Sequence, residues 1–339
     1  MIGYELELKP RIKGGVTLNG SERVFRVYVT EKLPLNMLSS KDLLPRSLSV
    51  SSTVVSVDVV AVGEVYAPPQ SKLVGGSFQY ISETPPGDPT AKYRPVIFGV
   101  SIGNMAITAG TNGWPFRRVT DKAVLFGSNA HVFCDDPSRP PSGIVEKRIV
   151  QPGTHDGGVE ADQVAVYDWH QQVFPGEFAD SLLVPVGGFI VKYFNKIAEV
   201  GNADVRLEMK TSHLNHIDFA VAKPVVDWNS EMLGLNLEGY EFAGLGFAGS
   251  DTTGIFCKAK HIVEAGYEPL GKPVCEVSDN DIVVKCGRTS GFTSGKIVGS
   301  SAYLAVNYGD YMAIFEDVVI VEGAFMQAGD SGSSVWKHE

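Results

Sequence analysis

Ser331 lies in the tetrapeptide Gly329-Asp330-Ser331-Gly332, near the end of a chain of 339 residues. A serine hydroxyl attacks a carbonyl only when a base takes its proton and donors hold the oxyanion that forms. Gly329 gives the backbone the freedom to aim the N–H groups of Gly329 and Ser331 at one point. The tetrapeptide alone would arise by chance in roughly one chain of this length in a few hundred, so it needs a base and an orienting carboxylate elsewhere. Of the seven histidines, His131 closes an apolar, strand-like run from Lys122 to Phe133. A base at a strand end is held firmly yet opens into a loop. Asp218 sits in His216-Ile217-Asp218-Phe219-Ala220-Val221-Ala222. Burying a carboxylate among such residues is costly without a partner, so Asp218 is the expected partner of His131. Asp162 and Asp168 are rival carboxylates, although both alternate with apolar residues as on a solvated strand face. The bland alternatives are a structural strand-end histidine, an aspartate that caps a turn or pairs with Lys223, and a plain loop serine. His155, His170, His213, His216, His261 and His338 show no metal-ligand spacing and read as structural or solvent-facing.

The order His131, Asp218, Ser331 differs from the orders of subtilisins and α/β-hydrolases. It resembles that of the trypsin/chymotrypsin-like serine peptidases. The stretch Val283-Val284-Lys285-Cys286-Gly287-Arg288-Thr289-Ser290-Gly291-Phe292-Thr293-Ser294-Gly295-Lys296-Ile297-Val298 is similar to the glycine-punctuated hairpin that opens their second barrel. The resemblance covers residues 97–336 and is closest to the prokaryotic trypsin-like peptidases that carry an N-terminal extension and lack disulfides. It implies a mainly β fold of two six-stranded-type antiparallel β-barrels, with His131 and Asp218 on one side of a cleft and Ser331 on the other. It implies catalysis through an acyl-enzyme, with Gly329 and Ser331 N–H groups binding the oxyanion and with no metal or organic cofactor. In this family the residue six before the nucleophile often lies at the base of the primary pocket. Here that residue is Phe325, which suits a shallow apolar pocket for small side chains better than an acidic one selecting Lys or Arg.

The chain departs from the family after the nucleophile. Family members continue for several strands and a helix, whereas here Ser333-Ser334-Val335-Trp336-Lys337-His338-Glu339 follow. The second barrel is therefore expected to be incomplete at that end, leaving an unfavourable open edge. The missing wall would be a lost remainder, a C-terminal fragment, another copy of the chain in a homo-oligomer, or the N-terminal unit. Alternatively the protein has kept the scaffold and given up catalysis.

The elements that must position these residues read as follows. Residues 1–66 form a small α/β appendage of βαβ type: strands at Val24–Thr30 and Val54–Val62, and a short helix at Leu35–Leu44 stopped by Pro45. Residues 67–95, with Pro68-Pro69, Gly75-Gly76 and Pro85-Pro86-Gly87, read as a linker or surface arm. Residues 96–238 are expected to make the first barrel, with strands at Gly99–Gly110, at Lys122–Phe133, from Arg148 and around Asp218. Within it an insertion near 172–212 has Ile190, Val191, Phe194, Ile197 and Ala198 at helical spacing. Residues 239–339 make the second barrel.

Composition bounds the rest. With 44% hydrophobic and 20% charged residues the chain can bury a sizeable core in two or three domains or subdomains. A net charge of −10 without a Lys/Arg-rich block argues against nucleic-acid partners. The N-terminus lacks the basic start and apolar core of a signal peptide, and the longest apolar run, Leu182–Val191, is broken by Pro185 and too short to span a bilayer. A cytoplasmic protein without membrane partners is expected. Cys134, Cys257, Cys275 and Cys286 make no Cys-x-x-Cys pair and read as buried thiols, with a bridge from Cys257 to Cys275 or Cys286 left open. Two functions compete: a serine endopeptidase acting on a peptide or protein substrate, or on itself, and a catalytically silent binding or assembly protein on the same scaffold. An esterase on an α/β-hydrolase sheet is disfavoured by the residue order and by the absence of a Gly-x-Ser-x-Gly elbow.

Overall fold

β-Branched and aromatic residues in short apolar runs favour strands over helices, and the computed structural model of the chain is mainly β. It describes most of residues 2–67, then 88–176 (without 95), 214–225, 235–236, 241–242, 255–323 (without 258 and 271–273) and 325–338. The chain divides into two compact units. One comprises Met1–Tyr66, Phe174–His216 and Gly299–Ile320, the other Ala67–Val173, Ile217–Val298 and Val321–Glu339. The expected helix within 172–212 lies outside the described residues, as does the apolar run Leu182–Val191. Among the described residues, no helix is long and apolar enough to cross a membrane.

In the first unit, the strand Arg23–Val29 pairs in parallel with Thr53–Ala61, Phe25 opposite Val57. Parallel neighbours require a crossover connection, as the βαβ reading anticipated. Among its described residues the crossover is not the expected helix over Leu35–Leu44. It holds one 3₁₀ turn, Leu35–Met37, after which Leu38 is extended, and then an antiparallel strand, Ser47–Val50. Leu35 and Met37 are each 67% exposed. A helix this short depends on burying an apolar stripe, and among the described residues of the turn Leu35–Met37 none is buried. On the other side Gly3–Glu5 pairs with Arg23–Val29 and with residues 302–304. Tyr4, Phe25, Val27 and Val55 form the core.

The second unit carries the residues of chemical interest. One antiparallel sheet runs in the order Tyr267–Pro269, Pro115–Arg118, Val124–Ser128, Ala220–Pro224, Gln163–His170, Arg148–Val150, Ser101–Asn104, Gly110–Thr111. Its central strands are buried on both faces. Leu125 and Val221 point into one apolar cluster with Trp114 and Trp336, while Phe126, Ala220 and Ala222 point into another with Ile149 and Val164. Successive side chains of a strand alternate between faces, so two clusters demand an unbroken apolar run. A second ladder has Ile282–Gly287 in a hairpin with Gly291–Asn307, as its glycine punctuation suggested. Val335–His338 is not an open edge. It pairs with Ile282–Gly287 on one side and with Ile255–Cys257 on the other.

Two boundaries differ from the sequence reading. The run Lys122–Phe133 is a strand only over Val124–Ser128 and then turns into a single helical turn, Ala130–Phe133. The run Gly99–Gly110 is interrupted after Asn104, whose side chain bonds the Ala106 N–H (2.8 Å) and so favours a turn over a continued ladder.

His170 pins the loop that follows the Ala130–Phe133 turn. Its Nε2–H donates to the carbonyls of Pro137 (3.2 Å) and Arg139 (3.0 Å), so Nδ1 accepts from the Tyr167 hydroxyl (2.6 Å). That arrangement fits the neutral ring, and burial pushes its pKa below the ordinary 6.5. A histidine depressed on folding contributes stability that is present above its unfolded pKa and lost as pH falls through the folded one. The melting temperature should therefore decline as pH drops below about 6.5. His170→Gln, which does not titrate, should decline less between about pH 6.5 and 5 when both are scanned by calorimetry. Parallel curves would show that His170 contributes nothing to the slope.

Candidate active site

Asp218 lies just ahead of the strand Ala220–Pro224 and not within it. Three local bonds draw it out of the ladder. Its carboxylate Oδ1 accepts the N–H groups of Ala130 (2.6 Å) and His131 (3.3 Å), and its carbonyl accepts the Asn129 side-chain amide (2.5 Å). The one-turn helix of His131 is thus capped by a carboxylate from a distant stretch. The other oxygen, Oδ2, makes a short contact with His131 Nδ1. The His131 ring is only 8% exposed and the Asp218 side chain 12%. Asp162 and Asp168, the rival carboxylates, are committed elsewhere: Asp162 to Lys92 and Asp168 to Arg118 (2.5 Å).

The Ser331 loop packs on the strand pair that flanks this turn. The Ser331 carbonyl accepts the Thr111 N–H (2.7 Å). Gly110 has no room for a side chain, because a Cβ there would lie 2.4 Å from Val132 and 3.0 Å from the Ser331 carbonyl oxygen. Gly332 is constrained likewise, with φ +92° and a Cβ position 2.0 Å from Ser128 Oγ. Gly332 therefore lets the serine loop approach Ser128, three residues before His131, and Gly110 lets its strand approach both Val132, the residue after His131, and the Ser331 carbonyl. Ser331 itself is partly exposed.

The backbone around Ser331 is bolted down by its own aspartate. Asp330 is fully buried. Its Oδ1 accepts the N–H groups of Thr289 and Ser290 (both 2.9 Å), and its Oδ2 accepts the Gln327 N–H (2.9 Å), the Ser290 hydroxyl and the Lys285 ammonium (2.9 Å). Lys285 is also fully buried; burial pulls its pKa below the ordinary lysine range, and the Asp330 charge pulls the other way. Phe325, the pocket residue suggested by sequence position, is buried, its carbonyl accepting from the Thr293 hydroxyl (2.8 Å) and its ring centroid 5.8 Å from the Lys285 ammonium. Gly329, just before Asp330, has φ +95°.

Sequence reasoning missed Lys285, Thr289, Arg288, Thr111 and Asn129. Lys285 had a visible signal: a lysine inside the apolar run Val283-Val284-Lys285-Cys286 must be buried and so must have a partner. The hydroxyls gave none, since threonine is ordinary in a strand or turn. Cys134 and Cys286 are buried free thiols. Desolvation raises the Cys134 pKa well above the ordinary range and pushes Cys286 up to about 11. Neither is suited to act as a nucleophile at neutral pH.

No family model matches the chain, and no curated protein matches it. Among solved structures it is similar to one described as "A glutamic acid specific serine protease utilizes a novel histidine triad in substrate binding". The alignment has 12% identity and a TM-score of 0.33, over 72% of this chain and 93% of the other. A second, described as "Crystal Structure of Nocardiopsis Protease (NAPase)", aligns at 11% identity and a TM-score of 0.32, over 72% of this chain and 91% of the other. At these scores the likeness is loose, and what carries the site is its own geometry.

Proposed function

We propose that the protein is a serine endopeptidase that acts through Ser331, His131 and Asp218. The observation that carries the reading is the Asp218 carboxylate. It is fixed by two backbone N–H groups on one oxygen and faces His131 Nδ1 with the other. A carboxylate so placed keeps the proton on Nδ1 and leaves Nε2 to act as a base. In the proposed reaction the Ser331 Oγ–carbon bond forms as Nε2 takes the hydroxyl proton. The carbonyl electron pair moves onto oxygen, where the Gly329 and Ser331 N–H groups receive it. The C–N bond then breaks, and the His131 imidazolium gives its proton to the leaving amine. Water, deprotonated by His131, releases the acyl group by the same steps in reverse. Asp218 stays ionised throughout and stabilises the imidazolium. The expected substrates are peptides or proteins, with small uncharged side chains preferred beside the buried Phe325.

A fluorophosphonate probe reads the nucleophile directly. The folded protein should gain one covalent adduct, mapped to Ser331 by peptide mass, and Ser331→Ala should gain none. A folded wild type that stays unlabelled would favour the catalytically silent scaffold. Labelling that survives in Ser331→Ala would place the nucleophile elsewhere.

A further inference from the structure

We infer that Thr289, held by the Arg288–Asp156 ion pair, is a positioning residue that sets which way the Gly329 N–H points. The inference rests on the peptidase reading of the site. A trans peptide carries its C=O and N–H on opposite sides. The Thr289 hydroxyl donates to the Ala328 carbonyl (2.7 Å), so the N–H of the same peptide, that of Gly329, is aimed away from Thr289. The Ser333 hydroxyl does the same two peptides on. It donates to the Asp330 carbonyl (2.5 Å) and so turns the Ser331 N–H to the opposite side. Between them, the Asp330 N–H is spent on the Gln327 carbonyl (2.9 Å), and the Gly329 carbonyl accepts the Thr111 hydroxyl (2.9 Å).

The Thr289 hydroxyl has a single proton, and a neighbour decides where it goes. Arg288 Nη1 donates to Thr289 Oγ1 (3.1 Å), which leaves the hydroxyl to donate onward to Ala328. The guanidinium is itself fixed by Asp156, through Nε (2.7 Å) and through Nη2. Asp156 in turn accepts the Ser101 hydroxyl (2.5 Å). The chain Ser101, Asp156, Arg288, Thr289 therefore ends on the peptide that bears an oxyanion donor. Gly329 is the one residue type this lock admits: φ is +95°, and a Cβ would lie 2.4 Å from Thr289 Oγ1 and 2.8 Å from Arg288 Nη1. If the peptide between Ala328 and Gly329 turned over, it would put a carbonyl oxygen where the oxyanion forms and remove one donor.

Thr289→Val keeps the shape and removes the hydroxyl; Thr289→Ser keeps the hydroxyl. With a p-nitrophenyl ester of an N-acylated amino acid, Thr289→Val should lower kcat about tenfold, the worth of one hydrogen bond. The ceiling is the loss of a whole donor, about 10²–10³. KM should stay within about twofold, because the donor acts on the transition state and not on bound substrate. Thr289→Ser should recover most of the loss, and all three proteins should share one melting temperature to within a few degrees. A Thr289→Val enzyme with unchanged kcat, or a Thr289→Ser enzyme as impaired as Val, would overturn the inference. The amide ¹H–¹⁵N signal of Gly329 gives a readout independent of turnover. It should move in Thr289→Val and stay in place in Thr289→Ser; an unmoved signal in Thr289→Val overturns the lock. Absence of Ser331 labelling in the wild type would sink the peptidase reading instead, and the Gly329 signal would still report the peptide orientation.

Discussion

Asp218→Asn should lower turnover by about 10⁴, about 5 kcal/mol of barrier, while leaving the fold in place. The reason lies in how many donors the carboxylate accepts. Its Oδ1 takes the N–H groups of Ala130 and His131, and its Oδ2 faces His131 Nδ1. An asparagine has one acceptor oxygen and one NH₂ donor. The two backbone N–H groups claim the oxygen, so the NH₂ is left facing Nδ1. Nδ1 must then accept, the ring proton moves to Nε2, and the nitrogen needed as a base is blocked. The loss should appear in kcat at nearly constant KM in steady-state hydrolysis of a peptide substrate. A fall of less than about tenfold would mean that Asp218 does not set the tautomer.

The second large effect is on stability. Lys285→Met should destabilise the protein by about 3–5 kcal/mol, measured by urea unfolding, because it strands the Asp330 carboxylate without its cation. Both side chains are fully buried, so water cannot replace the lost partner. The remaining donors from Thr289, Ser290 and Gln327 soften the loss but carry no full charge. Lys285→Met combined with Asp330→Asn should be more stable than Lys285→Met alone, since no unpaired charge is left. If the double variant were the less stable of the two, the account of the pair as a mutually dependent charge couple would be wrong.

The contact of Asp218 with His131 was legible because their types are scarce in such settings. An aspartate in Ile217-Asp218-Phe219 and a histidine after an apolar run each ask for a partner, and chain order narrows the pairing. The strands at 23–29 and 53–61 were legible, the first from its alternation and the second from its valines. The segment at Leu35–Leu44 was not, because a short helix is decided by what it packs against. The exact placements of His131 and Asp218 also escaped the pattern. Both lie just beyond strand ends, and side chain-to-backbone bonds from Asp218 and Asn129 draw them there against the local strand preference. The partners of the 328–330 segment were hidden for another reason: Thr289 touches Ala328 across 39 positions, and Lys285, whose apolar setting asks for a partner, meets Asp330 across 45, so nothing local in either stretch names the other.

The central claim is that the hydroxyl of Ser331, the imidazole of His131 and the donors of the 329–331 loop converge on one reacting centre. A crystal structure of the phosphonylated protein tests it most directly. Phosphorus should be bonded to Ser331 Oγ, with its oxygen about 2.7–3.1 Å from the Gly329 and Ser331 amides. His131 Nε2 should lie about 2.6–3.2 Å from Oγ. Phosphorus on another residue, or a His131 ring out of reach of the adduct, would contradict it.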